Sequence, residues 1–562
     1  MQQLTRVSFL IFLSIISIQR FAQAQQNRLL DPKLSVVTDL SVPAGAISLQ
    51  LRRNLDNGRN QRGVLGTRWR CNWESRLSRD GQFVRIEDWS GIVSFTHAGQ
   101  QSEYASPSGE RITFDKDGQA FRTIVDGGTE VFDAGGRLIQ RAYRHGNKIA
   151  IRYDAQDRIS RVEGPGASFL QFTTDVDGRV VQVDASTGAT VRYKYEKNDL
   201  VEAQVNGGLS MRYGYDAKGF LARIDHPQTG SIEIAYASQG RVSSYRRADG
   251  SNQRFEYDES NNTRRVIEAN GATTFTQESP EKRRTEITDP LGNKSTIQFD
   301  EKGRPVTITG PTGASAKMSY DVSGRIAAAE DPLGNATRYE YAGASSAMKT
   351  VICADGSRQE FEYDADNKLI AARIGGKVVT SFTYNPDGSI ATARTPGAKE
   401  QKFTYYQNGL VRSVANALGE TTQFEYDGRG NLVRETNPLG GVAIRGYDSQ
   451  DRLVRITNPA GATTGYEYDY RGRLIRQTDA GGGVTRFDYD GLGRLAAETN
   501  PAGQTTRYEY SSTDKLIRTI WSDNTTETYR YDLVGNLVER TDRLGRPFRF
   551  ERDPLGRHGR VG

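Results

Sequence analysis

Only two cysteines, Cys71 and Cys353, occur in 562 residues. Two thiols so far apart make no disulfide framework; two isolated thiols are expected, with a single bridge in an oxidising compartment as the alternative. Histidine is almost as scarce: His97, His145, His226 and His558. None has metal-ligand spacing to a cysteine or another histidine. No Gly-x-Ser-x-Gly elbow and no phosphate-cradling Gly-rich loop is present. Asp115-Lys116-Asp117-Gly118 and Asp175-Val176-Asp177-Gly178 have the opening spacing of a calcium loop but lack its 12-residue ligand pattern and closing Glu. No catalytic residue, cofactor or metal is therefore expected.

Charge of one sign is also missing. Seventy-five Lys and Arg face 69 Asp and Glu, with no basic cluster of the kind nucleic acid requires. Signs alternate instead, as in Arg338-Tyr339-Glu340-Tyr341 and Arg507-Tyr508-Glu509-Tyr510. That pattern predicts Glu–Arg pairs across neighbouring strands. A single long apolar run, Val7–Ile18, follows Arg6 and precedes Ala22-Gln23-Ala24. It is short for a membrane span and reads as an export leader over 1–24, cut between Ala24 and Gln25. Removing Arg6 and Arg20 lowers the net charge from +6 to +4. The expectation is a chain without a membrane span, exported to the periplasm, the medium or the cell surface.

What the chain has in abundance is a clock. A tyrosine, usually followed by aspartate, returns every 21 residues at Tyr426-Asp427, Tyr447-Asp448, Tyr468-Asp469 and Tyr489-Asp490, weakens at Tyr510, and returns at Tyr531-Asp532. Backward, the phase runs through Tyr405, Tyr384, Tyr363, Tyr341, Tyr320 and Phe299 to Phe132-Asp133, slipping by one residue at two steps. Self-similarity at one period signals a repeat architecture. Each unit opens on a turn with Asp first and Gly fourth, as at Asp427/Gly430, Asp469/Gly472 and Asp490/Gly493. A short run such as Leu453–Thr457 follows, then a second turn such as Asn458-Pro459-Ala460-Gly461, then a return such as Thr463–Tyr468. In the return, Tyr466 and Tyr468 share one face and Glu467 takes the other. The unit is two strands and two tight turns, and no helical period competes with it.

Twenty-one anchors from Phe132 to Arg552 give roughly 40 strands of about 6 residues. At about 4.8 Å per strand the ribbon is on the order of 190 Å long. Open twisted sheets rarely exceed about 10 strands, so it must wind. One ring would be roughly 60 Å across, too wide for side chains to fill, which predicts a spiral around a space. A β-propeller would need about ten blades, beyond the usual range. The fold class is all-β, with an N-terminal β module over 25–131 and the repeat shell over 132–562. Trp69, Trp73 and Trp89 lie in that module, as its small core or as a plug against the shell, and Trp521 lies in the array. The tyrosine faces are expected to pack inward as a ladder; facing outward or into a lumen, they would suit sugars.

These residues resemble the RHS/YD-repeat family. The match is Tyr426-Asp427-Gly428-Arg429-Gly430-Asn431-Leu432 with Thr436-Asn437-Pro438-Leu439-Gly440, repeated at Tyr489-Asp490-Gly491-Leu492-Gly493-Arg494-Leu495. Thr38–Pro43, Leu49–Asn54 and Leu65–Trp69 resemble the module that commonly opens such proteins. The resemblance implies a spiralling β shell, as in bacterial polymorphic toxins, insecticidal toxin complexes and animal teneurins. In the toxins the shell encloses a C-terminal toxin, and a closing Asp-Pro-x-Gly signature is cut using aspartates. Here Asp553-Pro554-Leu555-Gly556 repeats a turn found at Asp289 and Asp331, so an ordinary repeat turn without a toxin domain is the expectation. The expected function is a secreted, non-enzymatic shell or scaffold related to toxin delivery. Its expected partner is an enclosed toxin or a second shell protein. A glycan-binding surface protein and a truncated toxin precursor are the alternatives.

Overall fold

The structure is a computed structural model. It describes residues 36–561 apart from 45–46, 57–61, 81–82, 90, 98–102, 107–109, 125–127, 144–146, 166, 209, 228, 344–346, 366–367, 396–397 and 553–557. The leader with Ala24 and Gln25, His145, and Asp553–Gly556 lie outside the described residues.

The repeat unit forms as its sequence dictates. At the Tyr447 copy, Thr463–Tyr468 pairs antiparallel with Leu453–Thr457 on one side and with Leu474–Thr478 on the other. β-branched and aromatic side chains suit that pleat. Both turns close the same way. Gly472 N–H reaches the Asp469 carbonyl at 2.9 Å, Asp469 N–H reaches Arg473, and Gly472 sits at φ +79°. This is a type I turn ending in a left-handed residue, which glycine adopts without steric cost. A bulge at the Tyr-Asp tyrosine of this copy absorbs the extra residue, so Tyr468 faces Leu474 while Glu467 faces Arg476.

Joined end to end, these hairpins make one antiparallel sheet of 47 strands from Ser75 to Arg552. The all-β expectation holds; the described helical segments are two single 3-10 turns, Ser238–Gly240 and Pro280–Lys282. The sheet does not begin at residue 132. Thr129–Phe132 is paired on both sides, and the ladder continues back to Ser75–Asp80. Those earlier strands were read as part of the N-terminal module because they lack the 21-residue period, although they share the ladder. Ser75–Asp80 closes on Leu138–Ala142 through an Arg76–Arg137 bridge and a 2.8 Å Leu77 N–H to Gly136 carbonyl bond. The first eight strands thus form a ring.

Beyond the ring the ribbon spirals. Second turns of early repeats meet Tyr-Asp turns of much later ones: Asn206 Nδ2 donates to Asp451 Oδ2 at 3.1 Å, and Arg247 pairs with Asp514. These contacts span 245 and 267 residues. One revolution is therefore about twelve repeats or 24 strands, about 115 Å around and about 37 Å across. Val36–Ala44, Ile47–Leu55 and Trp69–Cys71 form a separate three-stranded sheet, and Arg62–Gly63 with Gly66–Thr67 a two-stranded ribbon beside it. The three-stranded sheet sits within the first revolution, and the main hydrophobic core lies between it and the YD sheet.

Candidate functional site

The wall is held by a lattice repeated from copy to copy. The Asp469 carboxylate accepts the N–H groups of Arg471 and Arg473 and, through Oδ2, the Arg473 Nε–H at 2.7 Å. Arg473 then lies over the Tyr489 ring of the next copy, 4.7 Å from its centroid, and donates to the Asp490 carbonyl at 3.3 Å. Tyr489 returns the link: its hydroxyl donates to the Leu474 carbonyl at 2.8 Å. The same hydroxyl bond, always 15 residues back, is made by Tyr153, Tyr320, Tyr447, Tyr468 and Tyr510 among others. Arg452 over Tyr468 and Arg494 over Tyr510 repeat the stacking. The expected tyrosine ladder is thus interleaved: an arginine, not the next tyrosine, covers the Tyr468, Tyr489 and Tyr510 rings. Against the upward push of burial, the Arg473 N–H groups hold the Asp469 carboxyl below its ordinary value, and Asp448 behaves likewise with Arg452.

The tyrosine face is the inner face. In the early repeats it meets the separate sheet: Trp69 packs 5.3 Å from Tyr213 and donates its Nε1–H to Tyr215 at 3.0 Å. Trp69 and Trp73 are fully buried there, as a plug would place them. Arg53, also fully buried, donates to Asp39 at 2.7 Å between the Trp69 and Tyr213 rings. Tyr193 donates to the same Asp39 oxygen at 2.6 Å. Burial, then the Asp39 charge, lifts the Tyr193 hydroxyl far above its usual range. Gly66 seals the plug's rim, because any Cβ there would strike the Asn198 carbonyl. The outer face carries the expected pairs, such as Glu467–Arg476 at 2.7 Å and Arg373–Glu362 at 2.8 Å.

Two residues before each Tyr-Asp tyrosine lies a second inward row. Ile151, Phe172, Tyr193, Tyr213 and Ile234 are buried. Tyr339, Phe361, Phe382, Phe403, Phe424, Tyr466, Phe487 and Tyr508 hold the same position and are only half-buried. From Glu435 on, the inner face also carries charge, in the Glu435–Arg445 pair at 2.8 Å and the Glu527–Arg540 pair. A cavity of about 610 Å³ opens where revolutions meet, between Ser186–Thr187 and Tyr406, Asn408, Tyr426 and Gly428.

The anchors Tyr426, Tyr447, Tyr468, Tyr489 and Tyr531 all end strands, with Asp427, Asp448, Asp469, Asp490 and Asp532 opening the turns and Gly430, Gly472 and Gly493 ending three of them at positive φ. Asp175 and Asp177 serve a turn, with Asp175 clamped on Arg179. Among the described residues no cluster of His, Cys, Asp and Glu would hold a metal ion. Cys71, buried, and Cys353, half-buried, are free thiols. No helix of the described residues is long and apolar enough to cross a membrane, which says nothing of strands. What repeat analysis misses is the seam. Asp451 and Asp514 occupy the turn-ending glycine position at φ +62°, and both reach the preceding revolution. The signal was present as a break in the glycine pattern.

Models for the RHS Repeat match residues 405–442, 447–484, 468–505 and 489–526, and the Teneurin YD-shell model matches 224–387. The chain belongs to the RHS/YD-repeat family. A domain of unknown function (DUF6531) matches 33–104, spanning the plug and the first strands of the YD sheet. The crystal structures of TcdB2-TccC3-Cdc42 and TcdB2-TccC3 share the fold with this YD chain, at TM-score 0.58 over 87% of it with 12% and 13% identity. The YD chain covers 36% and 34% of those chains. Double-stranded DNA deaminase toxin A of Burkholderia cenocepacia (strain H111) is 26% identical over 273 residues. That match takes in 42% of the YD chain and 18% of the toxin.

Proposed function

We propose that this chain is the wall and end plug of a secreted, non-enzymatic shell that encloses or presents a partner in toxin delivery. The half-buried inner row from Tyr339 to Tyr508 carries the reading. Its early counterparts are covered by the plug, and the later ones offer the same aromatic and apolar surface with little over it. Contiguous apolar surface of that kind marks an interaction site. Relatedness to shell structures and to a toxin supports the delivery context. Glycan binding is the alternative, since aromatic rows lining a lumen would also suit sugars.

A protease-sensitive reporter fused after Gly562 tests enclosure. Protection from added protease relative to the free reporter is expected; digestion at the free rate, with a scattering envelope lacking a central void, counts against it. Export is checked separately, by mass spectrometry of the secreted chain. A first residue of Gln25 is expected, and retention of Met1 rejects the leader.

A further inference from the structure

The seam is bonded across at Asn206 and Asp451, but one repeat earlier it opens around the cavity of about 610 Å³. The clock breaks at the same place. Where most copies carry Asp after the anchor, Tyr405 is followed by Tyr406. Asp469, the usual case, accepts the N–H groups two and four residues on. Tyr406 has no carboxylate to do so, and Asn408 Oδ1 takes the Leu410 N–H instead, at 3.2 Å. What the turn gains is a fixed ring. The Tyr406 hydroxyl donates to the Phe424 carbonyl at 3.0 Å. Its ring meets Tyr426 edge-on at 6.2 Å and 89°, and Arg412 stands over it at 5.8 Å. The ring is nevertheless 37% exposed. An aromatic side chain pinned in place yet left in contact with water is a preorganised surface for a ligand.

The rest of the lining is polar and carries no Lys or Arg. Thr187 lines it from the earlier revolution, and Gln407, Asn408 and Glu425, all exposed, from the later one. Glu425 is only loosely paired, 3.8 Å from Arg434. Asp427 also lines the cavity but is spent on its own turn, accepting the Arg429 and Asn431 N–H groups at 2.9 Å. Two carboxylates and no cation on the wall disfavour an anion. Ala167 and Leu410 give too little aliphatic surface for a lipid chain. We infer that this cavity binds a neutral saccharide. The C–H face of a sugar ring lies on Tyr406, and its hydroxyls pair with the Gln407 and Asn408 amides, the Thr187 hydroxyl and the Glu425 carboxylate. The volume is within the range of small-molecule sites. This is a site in the seam rather than on the lumenal row, and it does not depend on what the shell encloses. A sugar seated there bridges two revolutions and fastens the seam.

The test titrates the full chain separately with maltotriose, cellotriose and chitotriose, followed by saturation-transfer NMR on the sugar and by amide exchange. A saturable response to at least one is expected by about 10 mM, with slower exchange in both the 186–188 and 406–410 turns. Tyr406→Asp restores the residue that most copies carry, so this variant should fold as the parent does while binding about ten-fold or more weakly. Gln407→Ala should weaken binding in the same direction. Tyr508→Ala, in the lumenal row, should leave it unchanged. Full binding by Tyr406→Asp overturns the proposal, and loss in Tyr508→Ala alongside it places the sugar in the lumen instead. No saturable response to any of the three sugars overturns it as well.

Discussion

A tyrosine hydroxyl is the smallest part that ties one repeat to the last. Tyr489→Phe removes the bond to the Leu474 carbonyl and nothing else, and should cost about 1 kcal/mol. Faster amide exchange confined to 474–489 is the expected readout; unchanged exchange would show the bond to be idle. The aspartates give the wall its acid limit. Asp154, Asp300, Asp427, Asp448 and Asp469 all sit below their ordinary value in the fold, held down by turn N–H groups and a partner at the fourth position against burial's upward push. Their stabilisation is complete above the unfolded value near 4 and is lost as pH falls through the lower folded values. Tyrosines set the opposite limit. Burial pushes Tyr153 and Tyr320 up to about 12, so their contribution holds below about 10 and fades as pH rises toward 12. These two sets of groups should therefore lower the thermal midpoint below about pH 4 and above about pH 10. A midpoint unchanged on either side would contradict this assignment.

At the scale of the hairpin, most of the element was legible. Asp469 and Gly472 announce the turn, Leu474–Thr478 the strand, and Glu467 against Arg476 the outer face, because each follows from contacts within about 21 residues. The seam was not legible, since Asp451 and Asn206 lie 245 residues apart and no period links them. Local strain makes the point testable. Asp451 takes φ +62°, where glycine would be easier, so Asp451→Gly should relieve backbone cost within its own turn. It also deletes bonds to Asn206, to Asn431 at 2.7 Å and to Arg429 at 3.0 Å. The expected outcome is a loosened seam: faster exchange in the 206–208 turn despite an easier 448–451 turn. Slower exchange at both would make Asp451 an accident of drift.

At the scale of the molecule, winding followed from strand number alone, but the pitch did not, and neither did the small closed ring ahead of the clock. Both depend on what fills the centre. The plug fixes the first revolution, and its fixing point is one charged pair in an apolar setting. Against the lowering effect of burial, the Asp39 carboxylate holds the Arg53 guanidinium protonated, and Tyr193 shares the same oxygen. Removing one partner of a buried pair leaves an uncompensated charge and typically costs about 3–5 kcal/mol, whereas replacing the whole set with apolar side chains of similar size can be neutral. Asp39→Ala should therefore lower the denaturant midpoint of the transition reported by Trp69 and Trp73, with the 400–540 repeats keeping their amide protection. Asp39→Leu with Arg53→Met and Tyr193→Phe should restore much of that loss. If Asp39→Ala instead unravels plug and late repeats together, the spiral is one cooperative body and the plug is its keystone; if it changes neither, the sheet stands without its plug.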